Sequence, residues 1–194
     1  MRKPFSPLAK RRGLRRQLGF TLIEIMIALG VIGTAVAAVL YYQSRAEAGQ
    51  SANKTSQDVS MMASKIKNLL GPSNSYGPLT PAWVNSSALV NSPMKYDGTN
   101  LQDPWGNTMS VNGNTTTFAI TVGGSTSALD KEVCTSIASK MVSNATAIHI
   151  GAATATAGVV AGGSAYKAAG GTADGALLAT GCNVANPVIA MQFR

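Results

Sequence analysis

The sequence contains little of what most catalytic and metal centres require. Among its 194 residues there are one histidine, two cysteines and eight acidic residues, and only 6% of the residues are aromatic. A zinc site needs three or four ligands of suitable type, and a serine nucleophile needs a base beside it. The single histidine, His149, stands in an apolar run, which favours a structural role. The sequence therefore predicts neither an enzyme nor a metal or cofactor site.

Positive charge is abundant but confined. The formal net charge is +8, yet seven of the sixteen basic residues fall in the first 19 positions. Nine basic residues then remain against eight acidic ones, scattered from Arg45 to Arg194 without interleaved aromatic residues. A nucleic-acid surface needs a basic stripe or patch, so no nucleic-acid partner is predicted. The basic residues of the N-terminal cluster are Arg2, Lys3, Lys10, Arg11, Arg12, Arg15 and Arg16.

One long hydrophobic run follows this basic cluster. Residues 20–42 contain a single charged residue, Glu24. They reach the length of about 20 residues that an apolar helix needs to cross a bilayer. Because a Lys/Arg cluster holds its side of such a span in the cytoplasm, everything after Tyr42 is expected beyond the membrane.

The only two cysteines, Cys134 and Cys182, lie in the part expected beyond the membrane. That compartment permits disulfides, and an even count suits one bridge between them. In the chain-entropy account, a bridge that closes so long a loop stabilises the fold by about 4 kcal/mol. Two unpaired buried thiols are the alternative.

The N-terminal part divides into a processing segment and a long helix. Residues 1–19 show no apolar period and are predicted to be removed. Residues 20–70 contain no proline and predict one helix, apolar over 20–42 and amphipathic over 43–70. Gly71-Pro72 predicts its end. The apolar positions of the second half are Ala52, Val59, Met62, Ala63, Ile66, Leu69 and Leu70.

The remainder predicts a connecting loop and a head. Residues 71–106 are rich in Pro, Gly, Ser and Asn, and are interpreted as a loop with a short helix at 86–90. Residues 107–194 are interpreted as the head, with a cysteine-bounded region 134–182. A hairpin over 108–122 is predicted to turn at Asn112-Gly113. Ser127 and Asp130 resemble a capping box that opens a helix. Strands are predicted at 145–150 and 187–193, and 151–175 stays unassigned.

Residues 19–24 read Gly-Phe-Thr-Leu-Ile-Glu and stand between the basic cluster and the apolar run. With Arg-Arg-Gln-Leu at 15–18 before them, they closely resemble the processing site of type IV prepilins. In that family a membrane-embedded aspartic peptidase cuts after the glycine and methylates the new amine. The resemblance implies cleavage between Gly19 and Phe20, and N-methylation of Phe20.

The same resemblance implies a role for Glu24. An ionised acid at the bilayer centre is penalised by about 2.5 to 3.5 kcal/mol on insertion scales, so something must offset it. In the family, the equivalent glutamate attracts the N-terminal amine of a neighbouring subunit during assembly. The alternative is that Glu24 only stabilises the first helical turn, where the helix dipole favours acids.

The fold implied by the resemblance is α+β, with a long N-terminal helix packed on an antiparallel β-sheet head and a disulfide-bounded C-terminal region. The implied partners are further copies of the chain in a helical filament, the prepilin peptidase, the inner-membrane assembly machinery, and the membrane before assembly. The head is expected in the periplasm first and on an extracellular pilus afterwards.

Several features favour the type IVb group of this family. The leader is long, and Tyr41-Tyr42 replaces the proline that is common after the apolar core in type IVa, although Phe20 as first residue is more typical of type IVa. Asp-Pro-Trp-Gly-Asn at 103–107, followed by the hairpin and Val133-Cys134, most resembles thin-pilus subunits of conjugative plasmids and pathogenicity islands. A filament for adhesion, aggregation or conjugative contact is the implied function.

Two alternatives stay open. A pseudopilin of a type II secretion system shares the leader, peptidase and helix, and its major subunit has a similar Asp-Pro-Trp-Gly stretch. That subunit usually lacks the cysteine loop, and no acidic cluster here suggests its calcium site. A secreted protein with an ordinary signal peptide is the second alternative, because Ala35-Val36-Ala37 fits a small-x-small cleavage site. Glu24 within the apolar run counts against it.

Overall fold

The computed structural model describes residues 21–73, 75–124, 126–127 and 129–194, with Ser44 as backbone alone. The leader residues 1–19 and Phe20 lie outside this range. Contacts divide the chain into two units, residues 1–43 and 44–194. The first α-helix, α1 (Leu22–Leu70), contributes residues to both units.

In the first unit, the described residues form the apolar part of α1. Every one of residues 22–43 is exposed, and the most apolar 18-residue stretch of the helix has a mean hydropathy of 2.3 with no part buried. In the described part of the chain, α1 is the one helix long and apolar enough to cross a membrane. The assignment rests on length and composition, and a signal sequence shares both features.

In the second unit, α1 buries one face. Val59, Met62 and Ile66 are fully buried, at the three- and four-residue steps that place side chains on one side of a helix. Leu69, expected on this face, is 55% exposed. The helix ends at Leu70, and the 3-10 turn Gly71–Ser73 follows, where Gly71-Pro72 predicts the stop.

The connecting segment is more ordered than the composition indicates. Its helix, α2 (Pro81–Ser86), begins five residues before the predicted one because Thr80 caps it and Pro81 occupies its first turn. The Trp83 N–H donates to Thr80 Oγ1 at 3.2 Å. Three short strands, β1 (Lys95–Tyr96), β2 (Leu101–Gln102) and β3 (Thr108–Met109), form an antiparallel sheet that was not predicted.

The main sheet has five antiparallel strands in the order β4-β5-β8-β6-β7. The predicted hairpin exists, but its turn is not at Asn112-Gly113. Gly113 is paired with Phe118 inside the ladder, and Asn114 makes the turn by accepting the N–H groups of Thr116 and Thr117. The strands are β4 (Val111–Gly113), β5 (Phe118–Gly123), β6 (Ala147–Thr156), β7 (Val159–Lys167) and β8 (Val188–Phe193).

Helix α3 (Lys131–Met141) forms where the sequence predicts it and buries Val133, Cys134 and Ile137. The capping box was wrong, because Asp130 is the N-cap residue and its side chain makes no capping hydrogen bond. Ser127 instead donates its N–H to Asn107 Oδ1. The strand predicted at 145–150 is confirmed as the beginning of β6. The unassigned stretch continues β6 and forms β7, and these two strands make the longest hairpin of the head. The short helix α4 (Gly175–Gly181) follows.

The core of the second unit lies between the buried face of α1, the helix α3 and one face of the main sheet. At the C-terminal end of α1, Phe118 lies 5.1 Å from Phe193 and 4.9 Å from Tyr76 between ring centroids. The fold is therefore α+β, with the long N-terminal helix packed on an antiparallel sheet and a Cys134–Cys182 disulfide in the C-terminal region, as the sequence predicts.

Candidate processing and assembly site

The processing motif enters the described structure at Thr21, immediately before α1. The Thr21 carbonyl accepts the N–H of Glu24 at 3.0 Å and that of Ile25 at 3.2 Å. The Thr21 hydroxyl donates to Glu24 Oε2 at 3.5 Å. Glu24 therefore lies in the first turn of α1, where the helix dipole favours an acid. The predicted cleavage and methylation residues, Gly19 and Phe20, lie outside the described residues.

Around and beyond Glu24, α1 displays a continuous apolar surface. Its large side chains between Leu22 and Leu40 are 49% to 76% exposed. Soluble monomers rarely expose an apolar patch larger than a few hundred Å², so water is an unsuitable surrounding for this surface. Lipid or other protein must cover it. The side chains concerned are Leu22, Ile23, Ile25, Met26, Ile27, Leu29, Val31, Ile32, Val36, Val39 and Leu40.

Two adjacent tyrosines end the apolar surface. Tyr41 and Tyr42 are 56% and 72% exposed. Their ring centroids lie 6.0 Å apart with the planes at 72°, an edge-to-face arrangement. They are the only aromatic residues among those described in the first unit.

In the head, the predicted disulfide is present. Cys134 on α3 and Cys182 at the end of α4 have Cα atoms 5.7 Å apart and are 0% and 2% exposed. The bridge encloses β6, β7 and α4 in one loop. It thereby bounds the region 134–182, as the sequence predicts.

An ion pair joins α1 to α3. The Arg45 guanidinium lies 2.8 Å from Glu132 Oε2, and both side chains are more than half exposed. Exposed pairs of this kind contribute about 0 to 1 kcal/mol. The pair is 87 residues apart in sequence, and no sequence signal predicted it.

The Asp-Pro-Trp-Gly-Asn segment forms a buried polar junction. Asp103 Oδ1 accepts the N–H groups of Trp105 and Asn107 at 3.0 and 2.8 Å, and its Oδ2 accepts the N–H of Gly123 at 3.0 Å. The Asn107 amide donates to the Ser127 carbonyl at 2.9 Å. These bonds tie the connecting segment to the end of β5 and to the chain before α3. The sequence indicates the Asp-Pro-Trp-Gly-Asn motif but not its role in joining these segments.

Two aspartates have opposite pKa shifts. Asp58, on the buried part of α1, is 4% exposed, and its Oδ2 has no hydrogen-bond partner. Burial raises the pKa of Asp58, and Lys54 opposes the shift in part. In contrast, the N–H groups of Asn100 and Thr99 lower the pKa of the exposed Asp97.

The distal part of the β6–β7 hairpin, residues 153–162 (the arm), is hydrogen-bonded to β4 and to the β4–β5 turn. Asn112 donates to the Ala155 carbonyl at 3.0 Å and accepts the Gly158 N–H at 2.7 Å. Asn114 donates to the Ala157 carbonyl at 2.8 Å. A small second cluster of buried apolar residues includes arm and sheet residues: Ala119, Ala147, Ala153, Val160 and Ala190.

His149 and Lys167 both stabilise this hairpin. His149 Nδ1 donates to the Gly162 carbonyl at 2.8 Å, which fixes the ring tautomer because a carbonyl only accepts. Lys167 Nζ donates to the carbonyls of Val142 and Ala145 at 2.6 and 2.7 Å, at the C-terminal end of α3. Among the described residues, no three His, Cys, Asp or Glu side chains are grouped to hold a metal ion.

Comparison with known proteins supports the reading of the N-terminus. Residues 14–40 match the family model described as the prokaryotic N-terminal methylation motif. No curated protein matched the sequence. The matched stretch contains Gly19, Phe20 and Glu24 and most of the exposed apolar part of α1. The match, the apolar helix and the disulfide together fit a type IV pilin-like or pseudopilin protein that is anchored in a membrane before assembly.

Proposed function

We propose that the chain is a type IV prepilin whose mature form polymerises into a pilus, of the type IVb group. Cleavage between Gly19 and Phe20 removes the leader, and methylation of the Phe20 amine follows. The observation that carries the proposal is the methylation-motif match at 14–40, which includes most of the α1 surface that only lipid or protein can cover.

Each segment then has one task. Residues 1–19 are the leader, residues 20–42 span the inner membrane and later form the filament core, and residues 43–70 carry the head. Residues 71–106 connect the helix to the sheet, and 107–194 form the head with its variable region 134–182. The head resides in the periplasm before assembly and on the outside of the pilus afterwards. The filament serves adhesion, aggregation or conjugative contact.

The chemistry of assembly centres on Glu24. In the membrane, its carboxylate sits in the first turn of α1, where the N–H dipoles partly offset its charge. A methylated amine of a neighbouring subunit carries the opposite charge, and pairing within the apolar filament core is strong because the surroundings are of low dielectric. Glu24 would thereby fix the register of each incoming subunit.

A pseudopilin is the second candidate, since the same motif match supports it equally. The disulfide that bounds the C-terminal region supports the pilus form, because the major pseudopilin usually lacks such a loop. Electron microscopy of the host surface distinguishes long extracellular filaments from a periplasmic pseudopilus.

The Glu24→Ala variant tests the assembly role. It should be processed and retained in the membrane like the unchanged chain, because peptidase and membrane recognise the leader and the apolar run. Sheared-filament yield should fall by at least about tenfold, which corresponds to 1.4 kcal/mol in an assembly equilibrium. Glu47→Ala, an exposed acid farther along α1, is the matched control and should assemble normally. Filaments at full yield from Glu24→Ala would contradict the role.

A further inference from the structure

The uncharged part of α1 has the length of a bilayer core. Between Glu24 and Arg45 there are 20 residues without a charge. In a helix they extend about 30 Å, which is the thickness of the hydrocarbon core of a typical bilayer. The two charged residues therefore mark the two limits of the span, with little length to spare at either end.

Tyr41 and Tyr42 stand at the limit that precedes the head. In the head, Tyr76 and Tyr166 are 7% and 6% exposed and serve the core. Tyr41 and Tyr42, in contrast, present more than half of their surface. A phenol has an apolar ring and a polar hydroxyl, and such side chains concentrate where acyl chains meet headgroups.

We propose that Tyr41 and Tyr42 form an interfacial anchor, which binds the headgroup layer of the outer leaflet of the inner membrane and sets the depth of the prepilin. The inference rests on the proposed function, which puts residues 20–42 in that membrane. With the tyrosines at the outer interface, Glu24 lies 17 residues away, about 26 Å along the helix axis. The anchor thereby holds the Glu24 carboxylate near the cytoplasmic interface instead of the bilayer centre.

The arrangement of the two rings favours lipid over a second copy of the chain as the surrounding. Successive helical residues point about 100° apart, so Tyr41 and Tyr42 together cover a wide arc of the helix. A packed helix contacts one stripe, made by residues three and four apart. A headgroup layer surrounds the helix at one depth and contacts both rings at once.

Cysteine labelling in spheroplasts measures the depth directly. Val36→Cys, Leu40→Cys, Gln43→Cys and Ala46→Cys are made one at a time in the full-length chain and treated with a membrane-impermeant maleimide. The native cysteines do not compete, because they are bridged and at most 2% exposed. Labelling should begin between positions 40 and 43.

Replacing both tyrosines should move this boundary. In a Tyr41→Leu and Tyr42→Leu chain, the apolar run is longer and the anchor is gone. Protection should extend to position 43, a shift of about one helical turn toward the C-terminus. A Tyr41→Trp and Tyr42→Trp chain should keep the original boundary, because tryptophan is also interfacial.

A Val31→Leu and Ile32→Leu chain changes two adjacent apolar residues within the span and is the matched control for the leucine pair. An unmoved boundary in the Tyr41→Leu and Tyr42→Leu chain overturns the anchor while leaving the prepilin proposal intact. Labelling at every position in the otherwise unchanged chain, including Val36→Cys, places the segment outside the membrane and overturns the anchor together with the proposed function.

Discussion

At the residue scale, the buried part of α1 contains one unusual group, the carboxylate of Asp58. Its Oδ2 has no hydrogen-bond partner, and an unpaired charge is costly to bury. Thr55, one turn earlier on the same face of α1, also buries an unpartnered hydroxyl. A buried polar group without a hydrogen-bond partner costs free energy, so these two side chains are expected to oppose the packing of α1 on the rest of the second unit.

Asp58→Asn should stabilise the protein at neutral pH. Because burial raises the folded-state pKa of Asp58, the folded state binds this proton more tightly than the unfolded state does. In the unchanged chain, the protonated Asp58 side chain gives its full contribution to stability below the unfolded pKa, about 3.9. This contribution is lost as pH rises through the folded pKa. Thermal melts of the full chain in detergent should show a higher Tm for the variant at pH 7 and a smaller difference at pH 3.

Asp97→Asn is the control with the opposite sign. The pKa of Asp97 is lowered by N–H donors, so its contribution is present above the unfolded pKa and lost as pH falls. The Asp97→Asn variant should be slightly less stable than the unchanged chain at pH 7. Equal Tm differences at both pH values for Asp58→Asn would contradict the assigned burial effect.

At the element scale, the C-terminal region is held by a disulfide and side-chain hydrogen bonds, because its secondary-structure propensities are weak. The stretch from Ala145 to Gly175 is mostly Ala, Gly and Thr, residues that bury little surface. The disulfide holds α3 to the end of α4. Asn112 in β4 and Asn114 in the β4–β5 turn hold the arm. Removing the disulfide or the asparagine hydrogen bonds should therefore have a measurable effect on the stability of the region that each one holds.

Replacing both cysteines by serine should destabilise the head without affecting leader removal. The bridge joins residues 48 apart, and the chain-entropy account gives about 4 kcal/mol for a loop of that size. Denaturant unfolding of the full chain in detergent measures the loss, and protease resistance of the head should fall with it. An unchanged unfolding midpoint in the Cys134→Ser and Cys182→Ser chain would contradict a stabilising bridge.

Asn112→Ala should loosen the arm alone. The variant loses a donor to Ala155 and an acceptor for Gly158, each bond being worth about 0.5 to 1.5 kcal/mol. It also loses a donor to the Ser110 hydroxyl, which lies next to β4 and outside the arm. Amide hydrogen exchange over residues 153–162 should become faster, while β5 and β8 stay protected. Asn53→Ala, an exposed asparagine on α1, should leave the exchange unchanged. Faster exchange across the whole sheet would contradict an arm that opens separately.

The elements predicted from the sequence are those with a strong local signal. The apolar period and Gly71-Pro72 define α1, a buried face defines α3, and the apolar closing run defines β8. The β6–β7 hairpin has such a signal only up to Ile150, where a strand was predicted. Beyond it, alanine, glycine and threonine prefer neither helix nor strand strongly, and pairing with neighbouring strands determines the structure. The turn predicted at Asn112-Gly113 was wrong for a related reason, because Gly113 is paired within the strand ladder. A glycine suits this position, since a Cβ there would overlap the Tyr76 carbonyl.

The candidate site divides in the same way. Glu24 and the processing motif are local in sequence, so the sequence alone indicates them. The Asp103 junction and the Arg45–Glu132 pair join segments far apart in the chain. Only the folded structure brings those groups together.

At the scale of the whole molecule, the proposed function depends on an apolar surface that the described part of the chain leaves uncovered. The apolar side chains from Leu22 to Leu40 are exposed, and the second unit, residues 44–194, has a core of its own. Under the proposed function, a membrane covers this surface first, and a bundle of neighbouring helices would cover it after assembly. Transfer between the two replaces lipid contacts with helix contacts, which close packing at small residues such as Gly30 and Gly33 would favour.

Mass spectrometry of the mature N-terminus, with the protein taken from a host that has a prepilin peptidase, establishes where the chain is cleaved. Prepilin processing predicts a chain that begins with N-methylated Phe20, followed by Thr-Leu-Ile-Glu. A chain that begins at Ala38 would show ordinary signal-peptide cleavage and would contradict the prepilin pathway.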